Sequence, residues 1–364
     1  MKHNVTKGLL SALALALALI PALPAQTRTI VTVASTVPAN GDVNPYGVAI
    51  VPSTTGNLVQ GHILVSNFND SANLQGTGTT IVDIAPNGTV GLFAWIDAAT
   101  LPGPCPGGVG LTTALAVLRT GWVIVGSLPT SDGMSDTAQA GCLIVLNSSG
   151  AVVETISDNL INGPWDMAAL DMGDTADLFV TNVLNGTVAG NGSLVDEGTV
   201  VRINLTESQT SMPTVVSMTT IGSGFPERTD PAALVIGPTG VGLAANGTLY
   251  VADSLDNRIA AIANAVNRTG TAGIGVTVSI SPSLNDPLGL TVWPGTGNIL
   301  TVNGNNGLLV QTTPAGAQVS EGLLDKTGTP PGAGALFGLA TAPEGLYFVD
   351  DASNTLNLLT ANPQ

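Results

Sequence analysis

The chain has 364 residues, with 25 acidic side chains against 9 basic ones and a net charge of −16. Glycine numbers 45, proline 23 and histidine only 2. So acidic a chain repels nucleic acid and anionic lipid, and so little histidine excludes His-rich transition-metal sites.

The first 25 residues (1–25) read as an export signal. Lys2 and Lys7 form a basic start. The apolar stretch Leu9–Ile20 is shorter than the about 20 residues a bilayer span needs. Pro21 and Pro24 break it, and Ala25 offers a small residue for cleavage. A secreted or periplasmic protein is expected, with its mature domain over 26–364. No later stretch is long and apolar enough to be a membrane span.

Thr29-Ile30-Val31-Thr32-Val33 is then a β-branched strand with no neighbour of its own. After it, one phrase recurs. An apolar run ends in Asn or Asp, a polar turn follows, and a second apolar run begins. The copies end at Asn67, Asn182, Asp253, Asn303 and Asp350, with a degenerate one at Trp122–Ser127. Turns such as Asn44-Pro45-Tyr46-Gly47 precede each unit. The same place is assigned to Val109-Gly110-Leu111, Asn162–Asp166, Asp230-Pro231-Ala232-Ala233, Asn285–Gly289 and Phe337-Gly338-Leu339.

In the first unit the pattern predicts strands over Val48–Val51, Ile63–Ser66, Thr80–Ile84 and Val90–Ala94. An Asn87-Gly88 turn joins the last two. A single β-unit cannot bury both of its faces, so six copies imply a repeat array. The sixth unit runs out after Thr355–Leu359. The strand at Thr29–Val33 is therefore expected to complete it and close a ring. The predicted fold is all-β: a six-bladed β-propeller with four-stranded antiparallel blades and an N-terminal strand closing the last blade.

The units resemble NHL-repeat propellers, most closely at Leu249–Ile259, which includes Asp253, Asn257 and Arg258. They are also distantly similar to the SMP-30/gluconolactonase type. That resemblance implies axial Glu, Asn and Asp residues around a catalytic divalent metal. Where that family has Glu-Gly-Pro, this chain has Asn44-Pro45-Tyr46. Virginiamycin-lyase-like propellers depend on histidine, and that activity is not expected here.

Cys105 and Cys142 are the two cysteines, and in an oxidising compartment an even count favours a disulfide. Both map to the face that carries the second-to-third-strand loops. Those loops are long in units one to three (Asn67–Thr79, Leu128–Gly141, Asn182–Gly198) and tight in units four to six. Long loops on a rigid scaffold are where binding resides. Asn87, Asn185 and Asn246 in Asn-x-Ser/Thr patterns are read as turn residues.

His62 is the one mature histidine, so a Ser-His-Asp triad would have to use it. No Gly-x-Ser-x-Gly elbow, phosphate loop or His-Glu-x-x-His helix occurs. No cofactor is assigned. Ca²⁺ stays open, because it takes oxygen ligands. Its candidates are Asp132 and Asp136 in one loop, and Asp166, Asp171, Asp174 and Asp177 in unit three. A binding site at the pore mouth would draw on Asn44, Asn67, Asn162, Asp166, Asn182, Asp253, Asp286, Asn303 and Asp350. Strand-end Asn and Asp also cap turns, which gives the same pattern a purely structural origin.

Two functions fit this sequence. One is a binding or interaction module acting through the long-loop face, as a monomer, on a small molecule, glycan or protein. The other is a calcium-dependent hydrolase or lactonase at the pore mouth.

Overall fold

The structure, a computed structural model, describes residues 29–360 together with Met1. The export signal and its cleavage point lie outside the described residues. The chain forms six antiparallel sheets, one per blade.

Strand β1 is Ile30–Ser35. Blade one is β2 (Val43–Ile50), β3 (Ile63–Asn69), β4 (Thr80–Ile84) and β5 (Val90–Trp95). Blade two is β6 (Leu111–Val117), β7 (Val123–Ser127), β8 (Cys142–Leu146) and β9 (Val152–Ile156). Blade three is β10 (Pro164–Asp171), β11 (Thr175–Asn182), β12 (Val195–Ser208), β13 (Ser211–Asp230) and β14 (Leu234–Ile236). Blade four is β15 (Pro238–Leu243), β16 (Leu249–Asp253), β17 (Arg258–Ile262) and β18 (Val276–Ile280). Blade five is β19 (Pro287–Val292), β20 (Ile299–Asn303), β21 (Leu308–Thr312) and β22 (Gln318–Leu323). Blade six is β23 (Leu336–Ala342), β24 (Gly345–Asp350) and β25 (Thr355–Thr360), with β1 on its outer edge.

The ring closes as the unpaired strand at each end of the chain requires. β1 runs antiparallel to β25, with Ile30 opposite Leu359 and Ser35 opposite Thr355. The first strand hides the edge that the last would otherwise expose.

Every inner strand carries a bulge at one place. Register slips between Pro45 and Val48, Leu111 and Leu115, Pro164 and Met167, Pro238 and Val241, Pro287 and Leu290, and Leu336 and Leu339. The bulge brings neighbouring inner strands into backbone contact near the axis. A Cβ at Gly289 would lie 1.7 Å from the Phe337 carbonyl oxygen, and one at Gly240 2.2 Å from that of Leu288. Hydroxyls stitch the ring at the same level. Ser66 donates to the Thr112 carbonyl of the next blade at 2.8 Å, and Thr181 to that of Thr239 at 2.7 Å.

One assignment is corrected. Asp230-Pro231-Ala232-Ala233 does not open blade four; it is the tip of a hairpin between β13 and β14, a fifth strand in blade three. The inner strand of blade four starts at Pro238, and Gly240 is its bulge glycine. Gly110 likewise lies just ahead of β6 rather than within its bulge.

The hairpin has a packing role. Leu234 adopts φ 64°, costing a leucine about 1–2 kcal/mol. Its side chain is 1% exposed, and full burial of a leucine contributes about 1.5–3 kcal/mol, enough to offset the strain. Leu234 and Val235 join Leu128, Ala138, Trp165 and Val183 in one buried apolar cluster near the axis.

Cys105 and Cys142 are joined, with a sequence separation of 37. In the chain-entropy model such a loop closure stabilises by roughly 4 kcal/mol. Among the described residues no helix is long and apolar enough to cross a membrane. The disulfide fits an extracellular or periplasmic setting.

Candidate functional site

The pore mouth on the long-loop face holds a cavity of about 560 Å³. Blades one, three, four, five and six line it. Asn44, Tyr46, Asn69, Asn73 and Gln75 come from blade one, and Arg228, Asp230 and Ile236 from the blade-three hairpin. Ser254, Leu255 and Asn257 follow from blade four, Asp286 and Leu288 from blade five, and Phe337 and Asp351 from blade six. Blade two contributes nothing to the lining. Its Leu128 and Ala138 are part of the apolar cluster beneath the hairpin.

The aromatic part of the lining is stacked. Tyr46 stacks between Phe68 and Phe337, with ring centroids 4.4 Å and 3.9 Å away. Burial, then the nearby Asp351 carboxylate, pushes the Tyr46 phenol far above its ordinary range, so it stays neutral.

The long loops brace one another. Thr130 donates through its hydroxyl to the Gln75 carbonyl at 2.6 Å and through its N–H to that of Gly76 at 3.0 Å. Gln75 Nε2 reaches the Ala232 carbonyl at the hairpin tip at 3.5 Å. The one-turn helix α1 (Thr187–Gly190) packs on the short turn Ser135–Thr137 and on β13. Asp42, absent from the sequence-based set, anchors the blade-one loop, accepting from Thr79 N–H at 2.9 Å and the Thr80 hydroxyl at 2.9 Å.

Of the nine mouth residues named from sequence, Asn44 and Asp286 line the cavity. Asn67, Asn182, Asp253, Asn303 and Asp350 take equivalent places, opposite Pro45, Pro164, Pro238, Pro287 and Leu336. All five are buried. Asn67 donates to the Thr36 carbonyl at 3.0 Å, and Asn303 to that of Ser283 at 2.7 Å. Asp253 is held by Arg258 through Nε at 2.8 Å and Nη2 at 2.7 Å. Asp350 accepts the Ser353 N–H at 3.2 Å. Asn162 donates to Asn185 Oδ1 at 2.7 Å, outside the cavity.

Asp166 faces the other end of the axis, in a second cavity of about 200 Å³. It stands in the blade-three bulge, where blades one, four, five and six place Gly47, Gly240, Gly289 and Gly338. Its carboxylate accepts N–H groups from Met167 and, across the blade boundary, Val241, each at 2.8 Å. Burial pushes it up to about 7 against those two hydrogen bonds.

The remaining acids are spread out. Asp132 accepts the Met134 N–H at 3.1 Å and the Thr137 hydroxyl at 2.6 Å, a local turn that also holds Asp136. Asp171 accepts Arg119 N–H at 2.6 Å, Asp177 bonds Asn204, and Asp174 lies in the turn before β11. Among the described residues no three His, Cys, Asp or Glu gather in a group able to hold a metal. His62 pairs with Asp83 at 2.9 Å, and no hydroxyl bonds to it among the described residues. Asn87 and Asn246 accept the N–H groups of Thr89 and Thr248, each at 3.0 Å, as turn residues do.

No family model matches the sequence, and no curated protein matches it. Solved structures do match in fold. A catalytically inactive variant of virginiamycin B lyase from Staphylococcus aureus, solved with quinupristin, is 15% identical at a TM-score of 0.52, covering 92% of this chain and 86% of that one. A calcium-binding regucalcin from Agrobacterium tumefaciens is 12% identical at 0.54, covering 90% and 94%. A candidate gluconolactonase is 14% identical at 0.53, covering 93% of each chain. At these identities the likeness shows the six-bladed fold and nothing of the chemistry.

Proposed function

We propose that the protein is an exported binding module whose ligand enters the mouth cavity on the long-loop face. The observation that carries this is the preformed 560 Å³ cavity, walled by the blade-one loop and the blade-three hairpin and bounded opposite by tight turns. Such a site costs little ordering on binding, because its walls are hydrogen-bonded strand ends. The disulfide supports an extracellular or periplasmic place of action.

The test is a thermal-shift screen of metabolites and glycans against the full chain and Ala232→Trp. That substitution adds bulk at the hairpin tip without removing a side-chain bond. Ligands that stabilise the parent and fail with the variant support the reading. A screen in which every hit survives the variant, or none is found, ends it.

A calcium-dependent hydrolase is the second reading, favoured by the oxygen-rich mouth. Two amide oxygens there, Asn44 Oδ1 and Asn69 Oδ1, are buried and unpartnered. The donor chemistry suits calcium, but the carboxylates interact in twos, Asp286 with Asp230 and Asp351 with Asp350. Calcium would draw on Asp286, Asp351, Asn44 and Asn69 and polarise a substrate carbonyl. A chelator-sensitive melting point together with lactone turnover would favour this reading over simple binding.

A further inference from the structure

At the end of the axis away from the mouth, one ionisable side chain lines the cavity of about 200 Å³, and it stands on a blade boundary. That side chain is Asp166, in the blade-three bulge. Blades one, four, five and six have glycine there, and a Cβ at Gly338 would lie 2.2 Å from the Tyr46 carbonyl oxygen. Those boundaries close backbone against backbone. Blade three meets blade four through a carboxylate instead. Oδ1 accepts the Met167 N–H and Oδ2 the Val241 N–H, each at 2.8 Å. Val241 is where β15 resumes its pairing with β16 after the bulge. An uncharged link crosses the same boundary, from the Thr181 hydroxyl to the Thr239 carbonyl at 2.7 Å.

A hydrogen bond to an ionised carboxylate is roughly twice as strong as one to a neutral group. A proton on Asp166 turns one of its acceptor oxygens into a donor and leaves one N–H poorly served. The cavity is large enough for water, which gives the proton its route. We propose that Asp166 is a proton-operated clasp between blades three and four, tight when its carboxylate is ionised and slack when it is protonated. It acts at the opposite end of the axis from the mouth and stands independently of what binds there.

The clasp responds to its own proton. β10 packs against β6, β7, β11 and β15. β6, β7 and β15 carry no charged residue, β11 carries Asp177, and β10 ends on Asp171. Asp177 bonds Asn204, and Asp171 accepts the Arg119 N–H. Burial, opposed by the two N–H bonds, places Asp166 at about 7. The clasp therefore tightens as pH rises through neutrality. Overall stability moves the other way below that point, because the unfolded chain ionises this group near 3.8 while the folded chain keeps its proton up to about 7.

Amide NMR of the full chain, titrated from about pH 5 to about pH 9, tests this. The Val241 and Met167 N–H protons should move downfield together as pH rises, through one midpoint at about 7. Both movements should vanish in Asp166→Asn and in Asp166→Gly, the second of which restores the pattern of the other four blades. Circular dichroism checks folding, and the glycine variant serves if the asparagine one fails to fold. Separate midpoints, a shared midpoint below about pH 5, no movement, or movement that survives either variant overturns the clasp. Survival would assign the titration to Asp171 or Asp177 instead.

Discussion

Asp286 in blade five sits where Asn44 sits in blade one. Each precedes the proline that starts an inner-strand bulge, and each is left-handed, at φ 55° and φ 60°. Each donates its backbone N–H to an asparagine in the tight turn of the preceding blade. Asn257 Oδ1 receives Asp286 at 2.6 Å, and Asn354 Oδ1 receives Asn44 at 2.7 Å. The two clips hold the residues that face the mouth. Asn354 belongs to blade six, so its clip also joins the last blade to the first.

Asn354→Gly keeps the backbone freedom that φ 51° demands and removes only the clip. It leaves a buried N–H on Asn44 unsatisfied, a loss of about 1–3 kcal/mol. Urea unfolding measures it, and a change below about 0.5 kcal/mol would show that water satisfies the group instead.

Arg258 is the buried cation of blade four. Its side chain is 4% exposed and its partner Asp253 is 0% exposed. Arg258→Ala strands a buried carboxylate and should cost about 3–5 kcal/mol. Replacing both residues by leucine should cost less than the single change, because no buried charge is then left unpaired. The order of the two midpoints in guanidinium decides the matter.

Stability should fall as pH rises through neutrality. Glu227 is fully buried, and burial, with Glu197 nearby, pushes it up to about 9 despite the Asn185 N–H it accepts. In the unfolded chain it ionises near 4.5. Between those values the folded state holds a proton that the unfolded state has lost, so stability declines with rising pH. Asp166, at about 7, acts in the same direction. Melting temperature against pH should drop from pH 5 to pH 9, and Glu227→Gln should flatten the slope. An unchanged slope in that variant would remove Glu227 as its source.

Removing the chain up to Ser35 deletes β1 and exposes the outer edge of β25. The melting point should fall, and a peptide spanning residues 29–36 added in trans should restore it. Absence of rescue alongside an unaltered melt would mean that the ring does not depend on this closure.

Much of the fold could be read directly. Strands alternate with Asn-Gly and Asn-Pro turns, and apolar runs such as Ile63-Leu64-Val65 and Leu178-Phe179-Val180 are buried on both faces because blades pack against blades. The β13–β14 hairpin could not. Leu234-Val235-Ile236 after Asp-Pro carries the signature of an inner strand, and local pattern cannot separate an inner strand from an added fifth one.

The site was less legible, for a geometric reason. Asn67, inside β3, and Asp350, at the end of β24, are buried, while the cavity is lined by residues close by, Asn69 and Asp351. One step separates Asp350 from Asp351, a step that in extended chain exchanges inside for outside, whereas Asn69 is reached because β3 runs three residues past Ser66, where the pattern ended it. Asn257 and Asn354, each four positions past a strand-ending aspartate, carry the recurrent signal that marks the rim.

By itself the sequence determined six β-units, a closing strand and a cysteine pair, because period, turn residues and composition are local properties of the chain. Only the tertiary structure decided which polar atoms meet at the mouth. That choice depends on bulges, on a strained leucine and on loops from different blades, which become neighbours only once the ring has closed.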